Sequence, residues 1–451
     1  MASWAHRSSR TLGTTVESVS VPQARWITRE RLIVVFWIAA LATVTIMATA
    51  GPAGWDAGIY GKAIQSLRHG IDPYATGIAE QQAFENRPAS LQAEHAPFTY
   101  VYSPLTLPLL RLLILLPDWL LAALFWAAVI AGFFLQLWAG FQMADEHERR
   151  WLVLLLPAVA FFPGLITDDV ILSGNVSYVL YGAVLAAAVP GWKRGRWFWF
   201  YAAVLAASVF KMQLLTLLAF PVLVGKRKWL PAIGTAAAGL AVVTAQAQLW
   251  PGLFREYLTT IRIMFGLIPD FGYGPAGILG RFLWNQGLPY SQAMTLTYLV
   301  FGGAIGVVLL SLASQARQEV FPRVIWLPVA LVGTFLLNPR IMKYDMAAIT
   351  IPMLLVASRG LRSTLQNAEN ANQGGNSSSN RALILLGAGC FLVPNLMTVF
   401  GPTWWPVELL VLSAVFAMGV RSLPQPHVVM QPESLTAPAE LMELAIPEEI
   451  A

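Results

Sequence analysis

Long apolar runs separated by short polar segments dominate the chain. A helix needs about 20 apolar residues to cross a bilayer, and five runs come close to or exceed this length: 32–50, 118–142, 229–250, 291–313 and 403–420. Six shorter or interrupted runs also fit crossings: 104–117, 151–167, 172–190, 323–338, 344–358 and 382–400. The run 197–224 fits one tilted helix or two short ones. Counting it once predicts about twelve crossings and an all-α, polytopic transmembrane bundle.

Polar segments flank and interrupt this transmembrane domain, which is predicted over 32–420. Residues 1–31 are rich in arginine and are predicted to be cytoplasmic, because basic residues collect on that side of a membrane. The Asn-, Ser- and Gly-rich stretch 364–380 is typical of a disordered cytoplasmic linker. The acidic segment 421–451 is predicted to be a solvated cytoplasmic tail.

Basic loops between the runs test the count of crossings. The loop 226–228 (Lys-Arg-Lys) falls inside in this count, as the distribution of basic residues in membrane proteins requires. The basic loops 148–150 and 193–196 fall outside, against that rule. The pattern therefore leaves open an error of one hairpin between 140 and 225.

Composition excludes a soluble protein. Of the 451 residues, 57% are hydrophobic and 12% are charged, whereas a soluble domain has roughly 25% charged residues. The 17 tryptophans suit membrane interfaces. The net charge of +5 comes from basic residues scattered between apolar runs. Membrane lipids, and no nucleic acid, are therefore expected as partners.

Two outer loops, 51–103 and 251–290, are much longer than a hairpin needs. In the first, apolar residues recur at helical spacing over 58–69, which predicts a short amphipathic helix along the membrane surface. This helix is expected to end at Gly70, before a turn at 72–74. A similar helix is predicted over 253–265.

Asp56 lies a few residues past the first predicted span, between glycines. A carboxylate in a partly dry cleft gains basicity and can take a proton from a hydroxyl. Alternatively, Asp56 caps the N-terminus of the helix that follows. The local pattern alone favours the cap, and the two roles are compatible.

Three cations, Lys211, Arg340 and Lys343, lie within or at the end of apolar runs. Charges at membrane depth are costly and are usually paired or functional. Together these cations suit the phosphate of a lipid-linked substrate, because Arg can bind two phosphate oxygens at once. The alternatives are snorkelling of Arg340 and Lys343, and an ion pair of Lys211 with Asp168 or Asp169.

Aromatic and polar residues near these runs are further candidates. The aromatic stretch 98–104 could line a sugar-binding cleft or form an interfacial belt, and Asn175 could line a cavity or bond a neighbouring helix. The sequence contains no P-loop, no dinucleotide-binding glycine pattern and no Cys/His cluster of metal-binding type. No cofactor and no metal are therefore predicted.

The order of several short motifs resembles the GT-C glycosyltransferases, and more narrowly the bacterial family of polyprenol-phosphate-mannose-dependent α-mannosyltransferases. The matching elements are Asp56 with Tyr60, GIDPY at 70–74, YSP at 102–104, LSGNV at 172–176 and KMQL at 211–214. Asn175 stands where that family usually has Gln. The resemblance covers roughly residues 32–358.

This resemblance implies a GT-C fold and an inverting transfer of a sugar from a polyprenyl-phosphate donor to a hydroxyl of a lipid or glycan acceptor. The reaction would take place on the outer face of a bacterial inner membrane, without nucleotide sugar or metal. Asp56 would be the general base, and Lys211, Arg340 and Lys343 would lie near the donor phosphate. The other candidate positions are assigned to substrate binding: Tyr60, Tyr74, Tyr100, Tyr102, Asn175, Gln213 and Tyr344.

One segment departs from the mannosyltransferase pattern. Near the ninth span that family can present a His, whereas residues 338–345 here read NPRIMKYD. The donor sugar, a mannose-like hexose or a pentose, and the acceptor therefore stay open. A transporter or flippase of lipid-linked sugars, with Asp56 and Lys211 on its path, is the alternative function.

Overall fold

The fold is all-helical, without strands, in the residues that the computed structural model describes. These are 54–87, 98–146, 148–150, 152, 173–225, 229–267, 271–272, 276–320, 322–338, 340–371, 416–417, 419–420 and 423. Several predicted segments lie partly or wholly outside the described residues. They are the spans 32–50, 151–167, 382–400 and 403–420, and the two terminal segments.

Helices follow one another with short connections along the described residues. In chain order they are α1 (Trp55–Arg68), α2 (Pro73–Glu85), α3 (Thr106–Leu113), α4 (Asp118–Phe141), α5 (Ser177–Arg194), α6 (Phe198–Ser208), α7 (Ala219–Val224), α8 (Trp229–Leu249), α9 (Pro251–Leu267), α10 (Ala276–Asn285), α11 (Tyr290–Thr297), α12 (Gly303–Arg317), α13 (Arg323–Leu336) and α14 (Thr350–Ala371). Two 3₁₀ segments, Met212–Leu218 and Lys343–Ile349, precede α7 and α14, and a π-turn joins α11 to α12.

Three helices in the described part of the chain are long and apolar enough to cross a membrane. They are α4, α8 and the continuous stretch Tyr290–Arg317. They match three of the predicted spans and indicate a membrane-associated helical protein. The number of twelve crossings stays a prediction.

The predicted span 104–117 is wrong. It contains only α3, whose eight residues extend about 12 Å at 1.5 Å per residue, against about 30 Å of hydrocarbon. The Arg68 guanidinium donates to the carbonyl oxygens of Ile114 and Leu116 and forms an ion pair with Asp118 at 2.6 Å. The end of α1 and the start of α4 therefore lie at the same end of the bundle.

The apolar run 197–224 forms two short helical stretches and not one tilted helix. Helix α6 ends at Ser208, and the 3₁₀ segment Met212–Leu218 leads into α7. Lys211 lies at the turn, where its ammonium donates to Ser177 Oγ at 2.9 Å. Because Ser177 is the first residue of α5, this turn lies at the N-terminal end of α5.

Glycines allow α4 and α5 to pack with their backbones in contact. A Cβ at position 132 would lie 2.4 Å from the carbonyl oxygen of Tyr178, and one at position 182 would lie 2.5 Å from the carbonyl oxygen of Gly132. Small residues have this role between membrane helices. The contact fixes the start of α5, which carries part of the candidate site.

The opposite end of the bundle is held by a buried ion pair. Arg359 donates from Nε and Nη2 to the two carboxylate oxygens of Glu148, each at 2.7 Å. Such a bidentate pair joins α14 to the segment after α4. Helix α14 continues to Ala371, so the predicted disordered linker 364–380 begins inside a helix. Its first residues include Leu, Gln, Glu and Ala, which favour helix.

Candidate active site

The interpretation of Asp56 as a helix N-cap is wrong. Gly54 has the capping position of α1, with φ +81°, and no side chain caps the helix. The backbone N–H groups of Asp56 and Ala57 donate instead to the carbonyl oxygen of Ser173, at 3.0 and 3.1 Å. A distant segment of the chain thus satisfies the first amides of α1, and the Asp56 carboxylate is left for other partners.

Asn175 holds the Asp56 carboxylate. Its side-chain Nδ2 donates to Asp56 Oδ2 at 2.7 Å, and its Oδ1 accepts from the backbone N–H of Ser177 at 2.8 Å. The second bond fixes which end of the amide faces the carboxylate. Gly174 has φ +67°, and a Cβ there would lie 2.9 Å from the Cβ of Ala57. Glycine therefore lets the turn at 173–175 approach α1.

Burial makes the Asp56 carboxylate more basic. Its residue is only 6% exposed, and burial raises the pKa of the carboxyl from its ordinary value of 3.8 to about 6. The hydrogen bond from Asn175 and the charge of Lys211 lower this pKa and offset part of the rise. At neutral pH the group is mostly ionised and has the basicity of a general base.

Lys211 lies in an ion pair. Its Nζ is 2.6 Å from Asp345 Oδ1, and the ring centre of Tyr344 is 4.6 Å away. The other carboxylate oxygen of Asp345 accepts from the backbone N–H of Met342 at 3.0 Å. An ion pair was the alternative interpretation of Lys211, with Asp168 or Asp169 as partner. The partner is Asp345, and those two aspartates lie outside the described residues.

Arg340 lies on the other side of this cluster. Its Cζ is 4.9 Å from the ring centre of Phe265 in α9, and its backbone N–H donates to Asn338 Oδ1 at 3.2 Å. Burial raises the pKa of the Tyr102 hydroxyl, Asp56 raises it further, and Arg340 lowers it. The charges of Asp56 and Arg340 therefore both shift the pKa of the Tyr102 hydroxyl. Lys343 begins the second 3₁₀ segment, and its side chain lies outside the described part of the chain.

Four of the predicted tyrosines form one aromatic cluster, in which the Tyr100 ring contacts the rings of Tyr60, Tyr74 and Tyr102. Tyr60 and Tyr102 stack at a ring distance of 5.0 Å, one turn of α1 from Asp56. Tyr74 and Tyr100 are buried; the Tyr74 hydroxyl donates to the carbonyl of Tyr102, and the Tyr100 hydroxyl bonds to Thr106. These two residues hold the segment 98–105 in place and do not form an exposed interfacial belt.

The two remaining predicted substrate contacts lie beside Lys211. Tyr344 packs its ring against the Lys211 ammonium. Gln213 follows Lys211 in the first 3₁₀ segment, and its side-chain oxygen is buried without a hydrogen-bond partner among the described residues. The structure therefore brings most of the predicted positions to one end of the bundle, around Asp56 and Lys211.

Sequence reasoning missed Asp345, Ser177 and Tyr181, which surround Lys211. Asp345 follows the candidate Tyr344 directly, so its position next to the cationic segment was visible. Ser177 and Tyr181 lie one turn apart at the start of α5, a spacing that places them on one helix face. No group of three or more His, Cys, Asp or Glu in the described ranges could hold a metal.

No family model, curated protein or solved structure matches the chain.

Proposed function

We propose that the chain is an integral membrane glycosyltransferase that transfers a sugar from a polyprenyl-phosphate carrier to the hydroxyl of an acceptor. The observation that carries this proposal is Asp56. It is buried, held by the Asn175 amide, and has a carboxyl pKa of about 6. The charge of Lys211 lowers the pKa of Asp56, and the charge of Arg340 lowers the pKa of the neighbouring Tyr102.

In this proposal Asp56 acts as the general base. It takes the proton of the acceptor hydroxyl while the hydroxyl oxygen forms a bond to the anomeric carbon of the sugar. The bond from that carbon to the phosphate oxygen breaks, and the phosphate leaves with the electron pair from the opposite face. The configuration is therefore inverted. A positioned base of this kind contributes about 10²–10⁴-fold to the rate.

The two described cations have different roles in this proposal. A phosphate that reached Lys211 would compete with Asp345, which is already 2.6 Å away. Arg340 offers a planar group suited to two phosphate oxygens and acts on the same phenol as Asp56. Arg340 is therefore assigned to the departing phosphate, and Lys211, with Asp345, to positioning Ser177 and Tyr344.

The end of the bundle that carries Asp56 is proposed to face the outside. Helix α5 starts beside Asp56 and ends at Arg194, and α4 starts beside Arg68 and leads to the basic segment 148–150. Both basic segments thus lie at the far end, which the distribution of basic residues in membrane proteins assigns to the cytoplasm. Removing the crossing at 104–117 moves the two disagreeing loops to the inside, and counting 197–224 as two short stretches keeps the loop 226–228 inside.

The proposal is tested by sugar transfer with purified protein in lipid, using radiolabelled polyprenyl-phosphate sugars, lipid acceptors and EDTA. Asp56→Asn is expected to lower kcat at least about 100-fold, because the base is lost. Glu146→Gln changes an exposed carboxylate beyond the far end of α4 and is the control. Full activity of Asp56→Asn would remove Asp56 from the chemistry. No transfer by folded wild-type protein would favour a transporter of lipid-linked sugars.

A further inference from the structure

An apolar groove of about 510 Å³ runs beside Asp56, and its size is typical of a ligand pocket. Helix α1 forms one wall, and α3 and α4 form the others. The lining includes Gly61, Leu109, Leu113, Leu121 and Phe125. The groove is therefore built from the same helix that carries Asp56.

The inner end of the groove reaches the candidate site. Its lining includes Ala57, which follows Asp56, Val176, which follows Asn175, and Phe210, which precedes Lys211. A molecule in the groove would thus place its end next to the Asp56 carboxylate and its hydrogen-bond partner.

The rest of the groove suits hydrocarbon. It adjoins α4, one of the helices able to cross a membrane. Leu109 and Leu124 in its lining are 47% and 52% exposed. Among the described residues that line it, Asp118 is the one carboxylate, and it is paired with Arg68. Apolar side chains open to the membrane on this scale favour a lipid chain over a sugar.

The charges near the groove indicate whether it binds the donor lipid or the acceptor lipid. The donor carries a phosphate, and the described lining of the groove contains no Lys or Arg to bind it, while Ala57 at the inner end directly follows Asp56. The nearby ammonium of Lys211 is already neutralised by Asp345 at 2.6 Å. Arg340 packs on Phe265 of α9, and α9 contributes nothing to the described lining. A phosphate at the inner end would therefore have no cation in the described lining, whereas an uncharged hydroxyl is the group that Asp56 needs.

We infer that the groove holds the hydrocarbon chain of the acceptor, which is a lipid with an uncharged hydroxyl in its head group. This inference rests on the proposed function and names its acceptor class. The chain of the acceptor lies between α1, α3 and α4, and its hydroxyl meets Asp56. The polyprenyl chain of the donor approaches from the Arg340 side.

Two glycines of α1 provide a matched pair of variants. A Cβ at Gly61 or at Gly58 would meet no atom within 4 Å, so a larger side chain fits at either position. Gly61 lines the groove, and Gly58 does not. Gly61→Leu therefore fills the groove, whereas Gly58→Leu makes the same change in helix propensity on an exposed face of the helix.

The experiment uses the full chain in vesicles with two photoreactive probes: a diacylglycerol with a diazirine in one acyl chain, and a polyprenyl phosphate with a diazirine in its prenyl chain. Labelled residues are mapped by mass spectrometry. The diacylglycerol probe is expected to label α3 and α4 at the groove, and excess unlabelled diacylglycerol should suppress this labelling. Gly61→Leu should lower it about 10-fold, the usual effect of a steric misfit in an apolar pocket, and Gly58→Leu should leave it unchanged.

Two results would overturn the inference. Labelling of the groove by the polyprenyl phosphate probe alone would assign it to the donor. Equal labelling of wild type and Gly61→Leu would show that the groove binds no lipid chain. Sugar transfer is measured on the same samples, where Gly61→Leu should raise KM for the lipid acceptor and not for the donor. Labelling as expected without any sugar transfer would support the groove and overturn the proposed function.

Discussion

Two buried aspartates lie at the same end of the bundle, yet they have opposite surroundings. Asp345 is 0% exposed and pairs with Lys211 at 2.6 Å, while its second oxygen accepts from the Met342 amide. Asp56 is 6% exposed, and its carboxylate is bonded by neutral groups, the Asn175 amide and the Ser173 side chain. Asp345 is therefore neutralised and fixed, whereas Asp56 keeps a net negative charge in a buried position.

This difference separates a structural carboxylate from a reactive one. An ion pair offsets the cost of burial and keeps the carboxylate in contact with its counter-ion. A carboxylate held by an amide keeps its basicity, and the fold bears the cost of the buried charge. Functional sites commonly lower stability in this way. Three predictions test this difference, and they are ordered from the largest expected effect to the smallest.

The largest effect on stability is expected from separating the pair at Lys211. Asp345→Asn keeps an oxygen for the Met342 amide but leaves the Lys211 charge buried without a counter-ion. Breaking a buried pair in this way costs about 3–5 kcal/mol. Lys211→Met together with Asp345→Asn removes both charges and should recover most of that loss. Thermal unfolding in detergent measures both variants.

The same variants test what Lys211 does in the reaction. If Lys211 only positions its neighbours, the double variant should recover its stability and part of its sugar transfer, with an unchanged KM for the donor. If Lys211 binds the donor phosphate, the double variant should unfold like the wild type and still be inactive. A double variant no more stable than Asp345→Asn would contradict the assignment of a simple ion pair.

The second effect concerns Asp56 itself. Its pKa in the folded protein is about 6, above the ordinary value of 3.8, so the folded state binds the proton more tightly than the unfolded state. The contribution of Asp56 to stability is therefore greatest below pH 4 and is lost as the pH rises to 6. Asp56→Asn has no such charge and should be more stable than the wild type at pH 8 by up to about 3 kcal/mol.

Unfolding at two pH values checks this expectation. The advantage of Asp56→Asn should be full at pH 8 and nearly absent at about pH 3, because the wild-type carboxyl is then mostly protonated in both states. An equal difference at both pH values would mean that packing, and not the buried charge, sets the effect. A variant that is more stable and inactive would identify Asp56 as a group retained for function.

The sequence was sufficient for the helical, membrane-associated class, and it singled out Asp56 and Lys211 as candidates, because both signals are local. Runs of apolar residues predict helices, and a charge inside such a run stands out. Partners were not predictable in the same way. Asn175 is 119 positions from Asp56, and Asp345 is 134 positions from Lys211. Only the approach of α1 to the turn at 173–175 and the packing of the second 3₁₀ segment against α5 bring these pairs together.

The span 104–117 shows a different limit. Its leucines give it the hydropathy of a crossing, but hydropathy does not report whether a run folds back. The run ends where Arg68 binds the carbonyl oxygens of Ile114 and Leu116, a contact between segments about fifty residues apart. An apolar run can thus line a groove at a membrane surface instead of crossing the membrane.

The smallest effect is expected from Asn175, the amide that distinguishes Asp56 from Asp345. A hydrogen bond to a carboxylate lowers its pKa, and the bond from Asn175 does so for Asp56. Asn175→Ala should therefore raise the pKa of Asp56 by about one unit. Because the base acts when ionised, kcat/KM rises with pH up to that pKa. In Asn175→Ala the rising part, or limb, of the plot of kcat/KM against pH should therefore move to higher pH. The loss of kcat/KM should be smaller at pH 8 than at lower pH.

Asn175→Gln is the matched control, since it returns an amide to the site and should move the limb back towards its wild-type position. A purely structural role of Asn175 would lower activity at every pH by the same factor and leave the limb where it was. A limb displaced to lower pH would mean that the amide does not stabilise the ionised carboxylate. In that case the contrast between the two aspartates would rest on burial, on the charge of Lys211 and on the hydrogen bond from the Ser173 side chain.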